Sequence, residues 1–403
     1  MRTPGEAVSE ILEHTAGPGE AEDCVLAEAA GRVLASDVEA DRDLPPFEKS
    51  AMDGYAVQRA DFSGASASEV ALRLVGESSA GSPHEGALEA GECIAIYTGA
   101  VVPDDCDAVV MVERTRREDD TVWMTDDPRP RQHICARGED VRRGQRVLAG
   151  GRRLGPADLS VLASVGCEPV PVFPRPRVSI LTTGDELVSP AEVPGPGQIR
   201  EGNTLHLAAL ARAAGAVVLR AEVLRDDPEH LARSFELALA DSDFLISTGG
   251  VSMGRYDLVG DALRACGVER VFHKVAIKPG KPVWFGVREE VAVFGLPGNP
   301  VSCLVGHEVF VRPALAKRAG AVAEQAEGLR LGSWEGDSPR TGDRQQNIPV
   351  AVTLGEDGVD LLRPVPWRSS ADVVGLARAG GLAVLAPGET LEPGDLCPYR
   401  PLA

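Results

Sequence analysis

Lysine is almost missing from this chain. Only five of its 41 basic residues are lysine (Lys49, Lys274, Lys278, Lys281 and Lys317), and three of the five crowd into the stretch "KVAIKPGK". The formal net charge is −20. A basic footprint for nucleic acid is lacking, so no nucleic-acid partner is expected. Paired cysteine motifs are missing as well. Cys24, Cys93, Cys106, Cys135, Cys167, Cys266, Cys303 and Cys397 stand apart, with no CxxC or CxH, which leaves no zinc or redox-dithiol pattern. Without a secretion signal a disulfide framework is not expected, and these thiols read as small buried hydrophobes. No uncharged apolar run reaches the ~18 residues of a membrane span. The opening "MRTPGEAVSEILEHTAG" is amphipathic and lacks a signal-peptide core. The expectation is a cytoplasmic protein with no membrane partner. Neither GxxxxGK[ST] nor GxGxxG occurs, which argues against a Walker-type NTPase and a dinucleotide dehydrogenase.

What is present is a globular composition, 43% hydrophobic and 25% charged over 403 residues. Such a length has room for about two to four domains. The acidic balance reads as a solvated surface. Where lysine is avoided, a retained lysine does something arginine cannot: its ammonium is a compact charge on a flexible stem that reaches a single oxygen.

The first forty or so residues read as helical with a strand-like exit, until Pro45, Pro46 and Gly54 break the periodicity. From Asp61 to about Arg143, short apolar runs separated by turn residues predict a small all-β unit. A helix is predicted from Pro156. From Arg177 to about Arg318, strands such as "VSIL", "DFLIS" and "VAVFG" alternate with helical patterns. That alternation predicts a doubly wound α/β domain with a mostly parallel sheet. The remainder reads as a separate β domain. The fold class is therefore multidomain α/β plus β, with a central doubly wound α/β domain flanked by β-rich domains.

In an open parallel sheet, ligands bind beyond the carboxyl ends of the strands. Three strand ends stand out. After "VSIL" come Thr182, Thr183, Gly184, Asp185 and Glu186; the glycine permits a sharp turn and the carboxylates suit a hydrated Mg²⁺, although a helix cap would use the same residues. After "DFLIS" come Thr248, Gly249, Gly250, Val251, Ser252, Met253 and Gly254, followed by Asp257. Bare backbone N–H groups with two hydroxyls make an anion cradle. After "VAVFG" come Pro297, Gly298, Asn299, Pro300 and Ser302, where Asn299 is a natural N-cap and Pro300 a natural first helical residue. Lys278 and Lys281 flank Pro279-Gly280, and Lys274 precedes them by four residues on an extended segment. Three ammonium groups so close repel one another unless an anion compensates. A site for phosphate, pyrophosphate or an oxyanion such as molybdate or sulfate is expected there.

The motifs "PPFEKSAMDGYAV", "YTGAVVP", "RGEDV", "TTGDEL", "RDDP", "STGGVSMGRYD", "VAIKPGKPVWFG" and "LPGNPVS" stand in order along nearly the whole chain. Together they resemble the molybdopterin molybdenumtransferase family, which includes MoeA proteins and the E domain of gephyrin. The resemblance implies an elongated homodimer of four-domain subunits: 1–48 with 141–175 as a linker and dimerisation domain, 49–140 as an inserted β-rich domain, 176–322 as a MogA-like molybdopterin-binding domain, and 323–403 as a C-terminal β domain. It implies insertion of molybdate into adenylylated molybdopterin, releasing AMP and needing Mg²⁺, with a MogA-type adenylyltransferase or molybdoenzyme acceptors as partners. It assigns Glu186, Asp257 and Asp226 to the metal, the glycine cradle and helix N-termini to phosphates, and Lys278, Lys281 and Ser302 to molybdate. Thr183, Gly184, Asn203, Thr248, Gly249, Gly250, Ser252, Pro297, Gly298, Asn299, Pro300, Arg344 and Ser370 are its substrate-binding positions. Asp53, Thr98 and Asp140 match positions tied to activity and can be supplied by the partner subunit; Lys274 joins the catalytic candidates through the lysine cluster. The chain departs from the family pattern at Glu48-Lys49, where Asp-Asn is usual, and at Glu201-Gly202-Asn203, where Asp-Ser-Asn is usual. Three alternatives stay open: a tungstate-inserting paralogue, a molybdopterin adenylyltransferase, and a non-catalytic dimeric scaffold.

Overall fold

A computed structural model of the chain describes residues 1–63, 69–125, 127–250, 258–322, 328–339 and 342–402. They fall into two compact units, one of Met1–Ser36, Gly150–Pro156 and Pro169–Ala403, the other of Asp37–Ala149 and Ala157–Glu168.

The first unit is organised by a six-stranded sheet. Its strands are β1 (Arg177–Thr183), β2 (Val217–Leu224), β3 (Phe244–Thr248), β4 (Glu269–His273), β6 (Trp284–Arg288) and β7 (Val291–Leu296), with a short β5 (Ile277–Lys278) lying outside it. The spatial order is β2-β1-β3-β7-β6-β4. The first four strands run parallel, while β6 and β4 join antiparallel. Both faces of the central strands β1, β3 and β7 are covered, so these read as continuous apolar runs rather than alternating ones. Val178, Ile180, Phe244, Ile246, Ala292 and Phe294 enter one core, and the intervening Leu181, Leu245 and Val293 enter the other.

The helices follow from local chemistry. Thr3 and Glu6 form a reciprocal capping box on α1 (Pro4–His14), which buries Ala7 and Ile11 in the larger core. The helical expectation for the first forty residues stops there, because the sequence Gly17-Pro18-Gly19 follows. On the sheet, α2 (Asn203–Ala213), α3 (Pro228–Asp241) and α4 (Leu258–Ala265) connect successive strands. After β7 the chain enters α5 (Pro300–Gly306), a π-helical segment His307–Val311, and α6 (Arg312–Arg318). Pro313 has no N–H to donate backward, and the wider π turn directly before it absorbs the missing bond.

The C-terminal strands β8 (Arg330–Trp334), β9 (Gln345–Leu354), β10 (Asp360–Pro364), β11 (Gly381–Leu385) and β12 (Leu396–Pro401) pair in the order β9-β10-β8-β12-β11. β11 pairs back onto β9, which closes a small barrel around Trp334, Leu362 and Tyr399. One strand pairing joins this barrel to the loop between β4 and β6. In the lysine-rich loop, β5 lies parallel to the start of β9, with Ile277 opposite Gln345 and Lys278 opposite Gln346.

The second unit contains a six-stranded sheet in the order Ala108–Met111, Gly54–Val57, Glu92–Ile96, Val70–Ser78, Thr121–Met124 and Thr115–Glu118. It buries Val57, Leu72 and Val110 on one face and Ala56, Ile94 and Val109 on the other.

Candidate functional site

The sheet order reverses between β1 and β3, and ligands of doubly wound folds bind at such a switch point. Their carboxyl ends lie side by side there, with Thr182 opposite Thr248. Gly249 has φ 88°, and a Cβ at this position would stand 2.2 Å from the Thr183 carbonyl oxygen. Only glycine therefore allows the two strand ends to come this close. Thr183 is 3% exposed, yet among the described residues its Oγ1 has no hydrogen-bond partner. A buried hydroxyl without a partner costs about 1–3 kcal/mol, and a ligand oxygen would satisfy it. From the third strand end, the Gly298 carbonyl accepts a 2.6 Å hydrogen bond from Asn203 Nδ2. Thr182, Thr183, Gly249, Gly298, Asn299 and Asn203 line one cavity of about 1050 Å³. It continues past His206 and the buried Glu308 toward α6. Burial alone would raise Glu308, but the hydrogen bond to His307 and the Arg312 guanidinium outweigh it and hold the carboxyl below its ordinary value.

The departure at Glu201 has a local explanation. Gly202 occupies the N-cap of α2 without a side chain, and Glu201 Oε1 accepts from Thr204 N–H at 2.7 Å instead. Asn299 is a second departure from expectation. It stands at the N-cap of α5, but its side chain does not cap the helix; Nδ2 donates to Ser370 Oγ at 2.7 Å.

A second cavity, of about 460 Å³, is cationic. Lys278, Lys281, Pro297, Asn299 and Ser302 line it from the α/β side, and Arg344, Trp367, Arg368, Ser369 and Ser370 from the barrel side. The β5–β9 pairing explains this meeting, because Arg344 directly precedes β9 and its Nη1 donates to the Ile277 carbonyl at 3.4 Å. Val301 N–H donates to the Ser370 carbonyl at 3.0 Å and fixes the opposite wall. Among the described residues, neither Lys278 nor Lys281 has a carboxylate partner, and Arg344 has only the exposed Asp343 at 3.8 Å. Lys274 lines neither cavity. Its φ is 72°, so the segment is not extended there, and its N–H donates to the Val283 carbonyl. Trp367, Arg368 and Ser369 were not foreseen from sequence; their adjacency to Ser370 is the only local signal.

The carboxylates at the ends of β1 and β2 are close enough to interact. Asp226 N–H donates to Asp185 Oδ1 at 3.2 Å. Partial burial, and then the negative charges of Asp185 and Glu186, push the Asp226 carboxyl above its ordinary range. A hard divalent cation would relieve that repulsion, so the donor chemistry fits Mg²⁺. Among the described residues no group of three or more His, Cys, Asp or Glu side chains has metal-ligand spacing. Ser252 and Asp257 lie outside the described residues.

In the second unit, Asp53 and Thr98 flank the neighbouring strands Gly54–Val57 and Glu92–Ile96. Asp53 Oδ1 accepts from Thr98 N–H at 2.7 Å and from Thr98 Oγ1 at 2.8 Å, and these bonds hold its carboxyl below the ordinary range. Asp140 is exposed, with its N–H bonded to the Leu44 carbonyl.

Comparison with known proteins places two family models along the chain. The model described as the MoeA N-terminal region (domain I and II) matches residues 2–166, and the one described as a probable molybdopterin binding domain matches 179–317. A molybdopterin molybdenumtransferase of Nostoc sp. is 35% identical over 367 residues, 90% of this chain and 84% of that protein. The chain belongs to the molybdopterin molybdenumtransferase family. Another member, molybdopterin molybdenumtransferase 2 of Mycobacterium tuberculosis, is 41% identical over 303 residues, 73% of this chain and 74% of that protein. The crystal structure of the molybdopterin biosynthesis MoeA protein from Pyrococcus horikoshii superposes with a TM-score of 0.85 at 29% identity, covering 100% of both chains. The family's multidomain α/β architecture is thus the one found here.

Proposed function

We propose that this protein is a transferase of molybdenum cofactor biosynthesis that inserts molybdate into adenylylated molybdopterin and releases AMP. One observation carries the reading: Lys278, Lys281 and Arg344 converge with Ser302 and Ser370 on a cavity that shares Asn299 with the crevice at the strand ends. Ammonium, guanidinium and hydroxyl groups recognise a tetrahedral dianion by charge-assisted hydrogen bonds without coordinating its metal.

The division of labour follows from the two cavities. Thr183 Oγ1 and the backbone around Gly249 and Gly298 hold the phosphates of the organic substrate, with Thr248, Gly184, Gly250 and Asn203 shaping the cradle. Glu186 and Asp226, with Asp257 as the family suggests, would hold Mg²⁺. When bound, the ion would offset charge on the pyrophosphate as its bond breaks. Lys278 and Lys281 hold molybdate next to the dithiolene, and Asn299, which lines both cavities, stands where the two substrates meet. A water oriented by molybdate attacks the adenylate phosphorus. The bond to the bridging oxygen breaks, AMP leaves carrying the water oxygen, and the molybdopterin phosphate keeps the bridging oxygen. Where a molybdate oxygen attacks instead, the adenylyl–molybdate formed releases AMP when the dithiolene sulfurs displace that oxygen from molybdenum. Asp53, Thr98 and Asp140 are further residues of the activity, and Lys274 acts only by way of the loop that carries Lys278. The reading includes a homodimer working in the cytoplasm after a MogA-type adenylyltransferase.

The test is to incubate the purified protein with adenylylated molybdopterin, Mg²⁺ and molybdate and to follow AMP. Molybdate-dependent release is expected. Its absence would reject the reading, and release with tungstate alone would select the tungstate-inserting paralogue.

A further inference from the structure

The cationic cavity has one charge more than the assigned roles use. Arg368 lines it together with Lys278, Lys281 and Arg344. Its backbone N–H donates to Asp372 Oδ2 at 3.1 Å, and Asp372 also caps the short helix Val373–Leu376 through Gly375 N–H at 2.9 Å. Asp372 accepts chiefly from backbone donors and also feels the Arg368 charge, but among the described residues no carboxylate lies within ion-pair distance of the Arg368 guanidinium. Arg368 is exposed, as are Lys278 and Lys281, whereas Arg344 is half-buried and Ser302 on the facing wall is 3% exposed. Arg368 therefore stands among the cations at the mouth of the cavity, with Ser302 at its base.

A dianion of charge −2 faces four cations here, twice what neutrality needs. It must also approach a molecule of formal net charge −20, which repels it. Charges at the rim of a site act mainly on the association rate and its salt dependence; buried charges act on dissociation. We propose that Arg368, the lining cation with no assigned part in holding the ion, is a steering cation of the oxyanion pocket: it speeds capture of a tetrahedral dianion and contributes little to holding it. The inference rests on the reading of this cavity as the oxyanion pocket.

Trp367 lines the same cavity and makes binding optically visible. The experiment mixes full-length protein with molybdate alone across a range of ionic strength. Rates are followed by tryptophan fluorescence in stopped flow and by rapid filtration of labelled molybdate. Arg368→Gln should lower the association rate about tenfold at low salt, with the dissociation rate unchanged. The gap should close as salt shortens the Debye length toward ~8 Å and below. Arg368→Lys should keep most of the wild-type rate, because steering needs charge and not a fork. Unchanged association and salt slope in Arg368→Gln would overturn the inference. So would a loss confined to dissociation, or Arg368→Lys as slow as Arg368→Gln. Lys278→Ala separates the two levels. If it binds molybdate as the wild type does, the oxyanion-pocket reading itself fails. If it loses binding while Arg368→Gln behaves as wild type, only the steering role fails.

Discussion

The crevice at the β1 and β3 ends and the cationic cavity beside it are built in opposite ways. The crevice is made within one sheet, from backbone, hydroxyls and carboxylates that directly follow their strands. The cationic cavity is made between two folded layers, from side chains contributed by the lysine loop and by the barrel. The first is a geometric device, in which glycine lets strand ends approach; the second is an electrostatic one, in which the two lysines stand without carboxylate partners among the described residues. A protein that handles both an organic phosphate and an inorganic oxyanion needs both devices, and here each occupies its own cavity.

The sharpest way to break this contrast is at Lys278. Replacing it with alanine should cost at least ~100-fold in molybdate-dependent AMP release, the scale seen when one preorganised charge-stabilising donor is lost. Thermal unfolding should remain near wild type, since the side chain is not part of a core. Activity within a few-fold of wild type would mean that the cavity does not handle the oxyanion. The crevice should break at Gly249→Ala. Left-handed backbone and a Cβ 2.2 Å from the Thr183 carbonyl should cost about 1–3 kcal/mol of stability. Nucleotide binding measured by calorimetry should weaken, while molybdate binding at the other cavity should persist. Loss of both together would show that the two cavities are not separable.

A finer test concerns pH. Asp226 is raised, first by burial and then by Asp185 and Glu186. It therefore takes up its proton at a higher pH than an ordinary aspartate, and Mg²⁺-dependent activity should begin to fall on acidification while other carboxylates are still charged. Asp185→Asn removes one of the negative charges, so the acid limb should move to lower pH. Movement to higher pH, or none, would show that Asp226 does not set that limb. The smallest effect belongs to the helix start behind the crevice. Glu201→Ala removes the acceptor for Thr204 N–H and should cost about 1 kcal/mol in denaturant unfolding. An unchanged midpoint would mean that the bond contributes nothing net.

The contrast also explains what could be read in advance. Thr183, Gly249 and Gly298 were legible because a strand followed by glycine is a local pattern, and a parallel sheet brings its strand ends together. The lysine cluster was legible as rare chemistry in an acidic chain. Its completion by Arg344 and Ser370 followed from family resemblance alone, because Lys278 meets Gln346 only through a pairing between distant segments. For Trp367 and Arg368 only the adjacency to Ser370 hints at that contact. Asn299 illustrates a subtler failure. Its position at a helix start was right, but the hydroxyl of Ser370 competes for its amide, and that competitor is visible only once the barrel is in place.

The π-helical segment His307–Val311 has a further consequence. A wider turn adds a residue without lengthening the helix by much, so it resets the rotational phase between the stretch before it and the stretch after it. Ser302, ahead of the segment, lines the cationic cavity, and Leu315, behind it, lies in the main core. Removing one of the five intervening residues would turn one end against the other by about 100°. Ser302 and Leu315 could not then both keep their places, so this short irregularity is what allows one continuous rod to be a wall at one end and a foundation at the other.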